Sequence, residues 1–226
     1  MSEQFLRAWA VDEDALRALV GSKDPKLVAR AKRRAGADEV EELLEECGTS
    51  IDETLGAIVA GDLVAKHAYR YRRALELALS LTGASLAPAE IVGPGRGWQA
   101  LGPAFARWGA PTLAKRWGGG GSDNPELAWP WSRAPKGASV DWPNAYVVSA
   151  KEASAIAKEL AKLTAARVVE LGVPKGIERF SDGREWPLED LAPEVATIAK
   201  DFRRWCFALG KKHPDRSMVV IHDGQS

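Results

Sequence analysis

The chain is poor in the residues that carry chemistry most directly. Its 226 residues include two cysteines, Cys47 and Cys206, with no CxxC pairing. Two thiols supply neither a structural zinc site on their own nor the several bridges of a disulfide framework. Both are therefore expected reduced, as in a cytoplasmic protein. Histidine occurs only at His67, His213 and His222, so no metal-ligand spacing emerges and no metal site is expected. Neither sign of charge dominates, with 31 Lys plus Arg against 31 Asp plus Glu. Such a balance offers no global field to recruit nucleic acid or an anionic membrane. No run of apolar residues approaches the length of a bilayer span. The first twenty residues are acidic and lack a basic region followed by an apolar one, so no signal peptide is expected. Nucleophile and phosphate motifs are missing as well: G-x-S-x-G, S-x-x-K with its partners, and the P-loop lysine pattern do not occur.

What is present is the composition of an ordinary folded protein, 46% hydrophobic and 27% charged at 24.4 kDa. A chain of this size buries a substantial core, and we expect a single α+β domain over 1–226. "FLRAWAV" (5–11) alternates as a short strand does. Asp12 then offers an N-cap with acidic residues after it, where a helix dipole favours them. Asp24 ahead of Pro25 marks a second helix start, and "ADEVEELLEECG" a third helix ending at Gly48. The basic run Lys32–Arg34 and the acidic residues that follow it read as solvated helix faces, each exposed pair worth under about 1 kcal/mol. "AKHAYRYRRALELALSLTG" (65–83) is the clearest helical pattern in the chain.

From about 84 to 145 glycine, proline and tryptophan rise together and periodicity fades, except at "GWQALGPAFARWG" and "PTLAKRWG". An irregular stretch this long is expected to pack or to work. Regularity returns with a strand at 146–149. Ser149 and Glu152 there form an S-x-x-E capping box, ahead of a helix whose face is carried by Ile156, Leu160 and Leu163. A long helix follows from Pro187, with Ile198, Phe202, Trp205, Cys206 and Leu209 in register. "SMVVIHD" then closes the chain as a buried strand at about 217–222. The pattern predicts a helix-rich α+β fold with a small sheet.

Few constellations carry chemistry. His222 and Asp223 are adjacent on a strand, where neighbours point to opposite faces and cannot orient each other. Carboxylate pairs such as Glu189 with Asp190 sit at helix starts, where the dipole explains them. The glycine runs at 93–97 and 118–121 lack the strand–loop–helix frame of a phosphate cradle, and Asp123 and Glu126 follow the second. Six of the nine tryptophans fall between Trp98 and Trp142. Such clusters either plug a core or anchor a ligand or partner. The candidate binding set is Trp117, Trp129, Trp131 and Trp142 with Asp141 for polarity. Core plugging is the favoured reading of the segment as a whole, with Trp129 and Trp131 at least half buried and Gly118–Gly121 exposed.

Several stretches also resemble a known group. "RAWAVDEDALRALVGSKD", "YRRALELALSLTG", "WGAPTLAKRWGGG" with the following "WPW", "DWPNAYVVSAKEASAIAKEL" and "DFRRWCFALGKKHPDRSMVVI" resemble, in that order, segments of an uncharacterised bacterial domain-of-unknown-function family. More distantly the order of elements is similar to the YfbM-like proteins. The resemblance implies a single α+β domain and brings no catalytic residue with it.

These features lead to the expectation of a non-enzymatic cytoplasmic interaction protein, of the kind that neutralises a toxin or acts as an accessory binder. The partner is expected to be another protein, with no cofactor, no membrane and nucleic acid disfavoured. The alternative is a small-molecule or carbohydrate binder, or a weak hydrolase, using a pocket lined by the tryptophans above.

Overall fold

A computed structural model describes residues 4–33, 50–61, 68–93, 101–117, 144–174 and 187–224. Over these the chain is helix-rich α+β with a small sheet, as its patterning predicts, and the sheet has five strands. In chain order the elements are β1 (Gln4–Val11), α1 (Glu13–Leu19), α2 (Pro25–Lys32), α3 (Ile51–Ala60) and α4 (Ala68–Thr82). β2 (Gly83–Ser85), β3 (Ile91–Gly93), α5 (Leu101–Arg107) and α6 (Pro111–Arg116) follow. The last third holds β4 (Asn144–Val148), α7 (Ala150–Leu160), α8 (Ala165–Leu171), α9 (Leu188–Lys212) and β5 (Ser217–Gly224). The expected third helix, 37–48, lies outside the described residues.

The chain divides into two compact units. One gathers residues 1–10, 85–120 and 144–226, and the other residues 11–84 and 121–143. In the first unit β5 lies between β1 and β4, so that β5 is an inner strand and β4 an edge. β4 and β5 pair antiparallel, Tyr146 opposite Val220 and Val148 opposite Met218. β3 lies antiparallel on the first half of β1, Phe5 opposite Val92. The inner position of β5 explains its composition: Met218, Val219, Val220 and Ile221 are all buried, so both faces of the strand are covered.

Alternate strand residues, among them Leu6, Ala8, Tyr146, Val148, Met218 and Val220, belong to one continuous core with the helices α5–α9. α9 supplies its spine. Ile198, Phe202, Trp205, Cys206 and Leu209 recur on one side of the helix and are buried. That side packs on α7 and α8, and the indole Nε1 of Trp205 donates to the Pro88 carbonyl at 2.7 Å. A backbone carbonyl between β2 and β3 thus gains a partner it would otherwise lack.

In the 84–145 stretch helix forms where periodicity persists, at "GWQALGPAFARWG" and "PTLAKRWG". Its 101–117 part forms two short helices that carry Leu101, Ala104, Phe105, Trp108, Leu113 and Trp117 into the core. Gly102 lets them approach: a Cβ there would lie 3.1 Å from the Trp117 carbonyl oxygen.

α6 is held to α7 by two glutamates seven residues apart on one face. Ala110, at the N-cap of α6, offers no side-chain cap. Glu159 replaces it from α7, accepting from Thr112 N–H at 3.0 Å and from Thr112 Oγ1 at 2.6 Å. At the other end, Glu152 accepts from Nε of Arg116 at 3.0 Å. Glu152 also completes the capping box with Ser149, whose N–H and Oγ donate to it at 3.0 and 2.8 Å.

In the second unit, Asp12 caps α1 by accepting from Ala15 N–H at 3.0 Å, and Ser50 caps α3 through Glu53 N–H at 3.2 Å. α3 ends at Gly61 with φ +78°, a left-handed position suited to glycine. A Cβ at Gly61 would lie 3.3 Å from Gly21 Cα. Leu16, Leu19, Leu55, Ile58, Leu75 and Leu79 are buried in this part of the chain.

Candidate functional site

Trp117 is the one member of the tryptophan candidate set within the described residues. It is 5% exposed, its ring 4.6 Å from that of Phe105 and 6.2 Å from that of Phe202. It is a packing residue of the first unit. Trp129, Trp131, Asp141 and Trp142 lie outside the described residues, as do Gly118–Gly121, Cys47 and His67. Of the first glycine run only Gly93, the last residue of β3, is described. Phe105 packs edge-on against Trp108 at 5.7 Å, and the Trp108 indole donates to the Gly172 carbonyl at 2.9 Å. The described tryptophans of the 84–145 stretch therefore do what core plugging requires.

Two buried groups, Cys206 and Tyr146, are held in their neutral forms. Burial pushes the Cys206 thiol up to about 12, far from the thiolate that nucleophilic chemistry needs. Tyr146 is raised well above the ordinary phenol range, by burial first and by Cys206 second. Glu152 is moved the other way: burial by itself raises its carboxyl, but the bonds from Arg116 and Ser149 outweigh that and keep it below its ordinary value.

The outer side of α9 is different. Packing of one side leaves the other, by the 3.6-residue repeat, as a stripe of residues facing water. Phe207 sits on this stripe, two residues from buried Trp205 and two from buried Leu209, and is 55% exposed. The Arg203 guanidinium lies 5.0 Å from the centre of its ring, a cation–π contact. Nε of Arg203 is buried with no hydrogen-bond partner among the described residues. Lys200, Arg204 and Lys211 are exposed on the same side.

Toward its N-terminal end the stripe borders an open groove of about 360 Å³, lined by Val92 and Gly93 of β3 and by Pro193, Glu194 and Thr197 of α9. Val92 is 54% exposed. Burial, and then the nearby Asp190, raise the Glu194 carboxyl above its ordinary value. Of the three large exposed apolar residues among those described, Phe207 stands on α9 and Val92 of β3 lines the groove beside that helix. That face joins an aromatic anchor with its own cation, a small apolar groove, and charges of both signs.

The model of a domain of unknown function, DUF7691, matches residues 1–215. The chain belongs to the DUF7691 family. No curated protein and no solved structure matches it. The DUF7691 match takes in the whole of α9, the groove residues and Trp117. It therefore agrees with the expectation of a domain-of-unknown-function family from the chain's own segments, and it brings no activity with it.

The pattern of α9 in the sequence brings out its buried register and leaves the outer face unmarked. The signal was there: Phe207 breaks the run Phe202, Trp205, Cys206, Leu209 by falling on its opposite side. Among the described residues no helix is long and apolar enough to cross a membrane.

Proposed function

We propose that the chain is a non-enzymatic, cytoplasmic protein-binding module whose contact surface is the outer face of α9. The observation that carries this reading is the exposed Phe207 under the Arg203 guanidinium. Aromatic and arginine side chains are the enriched anchors of protein interfaces. A lone exposed apolar residue is ordinary on a monomer surface. Here Phe207 shares its face with the Val92–Pro193 groove, which is less ordinary. The neutral Cys206 and Tyr146 favour the same reading, since nucleophilic and base catalysis ask for the opposite shift. The tryptophan-pocket alternative has a single described member, Trp117, and its burial in the core favours packing. A bacterial setting, kinship with YfbM-like proteins and a toxin-neutralising or accessory role belong to the same proposal and rest on segment resemblance.

A photo-crosslinking amino acid placed at position 207, in cells producing the protein, tests it. Lys158, exposed on α7, is the control position. A discrete adduct from 207 that position 158 does not give is the expected result. Equal labelling from both positions, or none from 207, would overturn the proposal.

A further inference from the structure

We infer that the partner of this face is a second copy of the chain, with the two α9 helices antiparallel about a twofold axis passing at Lys200. The inference rests on the protein-binding reading above and names the partner for that same face.

Charge is the first argument. The N-terminal third of α9 carries Glu189, Asp190 and Glu194, its midpoint is Lys200, and its C-terminal half carries Arg203, Arg204, Lys211 and Lys212. The single acid of that half, Asp201, is already paired with Arg204 at 2.9 Å. A helix acidic at one end and basic at the other complements itself only when a second copy runs antiparallel. A twofold interface of that kind, in which each residue meets a different one on the partner and the reverse, closes on itself.

Shape is the second. An axis at Lys200 sets Glu189 opposite the partner's Lys211 and Pro193 opposite the partner's Phe207. Phe207 and Pro193 each stand seven residues from Lys200, two helical turns on either side and about 21 Å apart along the axis. The exposed ring of one copy therefore arrives at the Val92–Pro193–Thr197 groove of the other. Arg203 arrives with it, its guanidinium carried on the Phe207 ring. The helix dipole alone explains acids at the start and bases at the end. It does not explain why the midpoint of Pro193 and Phe207 is also the midpoint of Glu189 and Lys211.

The size of the face sets the strength. A helix of 25 residues is about 37 Å long, and a strip roughly 10 Å wide along it buries about 400 Å² per copy. Stable complexes bury about 800 Å² per partner, so the dimer is weak and reversible, with Kd on the order of 100 µM. Lys200 meets its own copy at the axis, the one unfavourable pairing, with Asp201 beside it in both chains.

Sedimentation velocity of the purified chain across a concentration series tests this, with Glu189→Lys, Lys211→Glu and the double variant. The wild type is expected to pass from monomer to dimer as concentration rises. Each single variant should raise Kd by roughly tenfold, because each reversed charge faces its like twice in the dimer. The double variant, which exchanges the charges and restores opposite pairs, should recover most of the affinity. Both substitutions oppose the helix dipole, so circular dichroism is read alongside, and recovery in the double variant separates pairing from folding. A wild type monomeric to about 1 mM would overturn the inference. So would singles that dimerise like the wild type, or a natively folded double variant as weak as the singles. A position-207 photo-adduct to a different protein, with a monomeric wild type, would overturn the second-copy partner and leave the binding-module reading standing.

Discussion

Replacing Glu159 by alanine should cost about 1–2 kcal/mol, a figure reached by two independent routes. The carboxylate accepts from Thr112 N–H at 3.0 Å and from Thr112 Oγ1 at 2.6 Å. Hydrogen bonds to a charged group contribute about 1.5–3 kcal/mol when buried, and partial exposure of this pair lowers that toward 1–2. The second route treats Glu159 as a cap. α6 has no side-chain cap of its own, and losing a cap costs about 0.5–2 kcal/mol. Alanine's better helix propensity in α7 returns a few tenths. Glu159→Gln keeps an acceptor and should lose roughly half as much. Urea unfolding followed by tryptophan fluorescence is a suitable assay, because buried Trp117 immediately follows α6. The coupling with Thr112→Val in a double-mutant cycle is expected near 1 kcal/mol. That cycle reads the Oγ1 bond, which a coupling under about 0.3 kcal/mol would refute. The N–H bond survives in Thr112→Val, so a Glu159→Ala loss under about 0.5 kcal/mol is what would refute the idea that α7 caps α6.

Gly102→Ala forces a Cβ to within 3.1 Å of the Trp117 carbonyl oxygen and should destabilise by about 1–3 kcal/mol; thermal unfolding checks it, and an unchanged midpoint would refute the close approach. Glu152 has a lowered pKa in the fold, so its stabilising bonds are fully present above the ordinary glutamate value and fade as pH falls through the folded value. The stability gap between the wild type and Glu152→Gln should therefore be widest near neutral pH and shrink in acid, and a gap that grew in acid would contradict the assigned sign. The Cys206 thiol, buried and pushed up to about 12, should resist a thiol reagent at pH 8 in the folded protein and react on unfolding, with peptide mapping to separate it from Cys47.

The elements legible in the sequence were those with strong local rules. Alternation gave β1 and the run 218–221 gave β5, while Ser149 with Glu152 gave the start of α7 through a capping box whose two bonds are both present. Asp12 and Asp24 marked helix starts for the same reason: their side chains accept from Ala15 N–H and Lys26 N–H. β2 and β3 were missed because three residues each leave no period to detect, and their pairing with β1 is a tertiary fact. α8 was missed because a seven-residue helix shows only two turns of pattern. In the 84–145 stretch the two segments that keep a period, "GWQALGPAFARWG" and "PTLAKRWG", hold the helices α5 and α6. Over 101–117 the glycines and Pro111 serve a close approach, a turn and a helix start. The division into two units was not legible, because one unit is assembled from segments far apart in the chain. For the site, residue type alone points to tryptophans, and Trp117 is a core residue. Phe207 stood in plain sight, but its meaning depends on which side of α9 is buried.

The twofold arrangement of α9 is tested most directly by a cysteine at its axis. Lys200→Cys sets two thiols facing each other only if Lys200 of one copy meets Lys200 of the other, within the short Cα separation a disulfide requires. Under mild oxidation we expect a covalent dimer that forms more slowly when Phe207→Asp is added. Lys158→Cys and the wild type serve as controls for chance collision and for Cys47 and Cys206. A Lys200→Cys protein that stays monomeric, or crosslinks no faster than Lys158→Cys, would contradict the account.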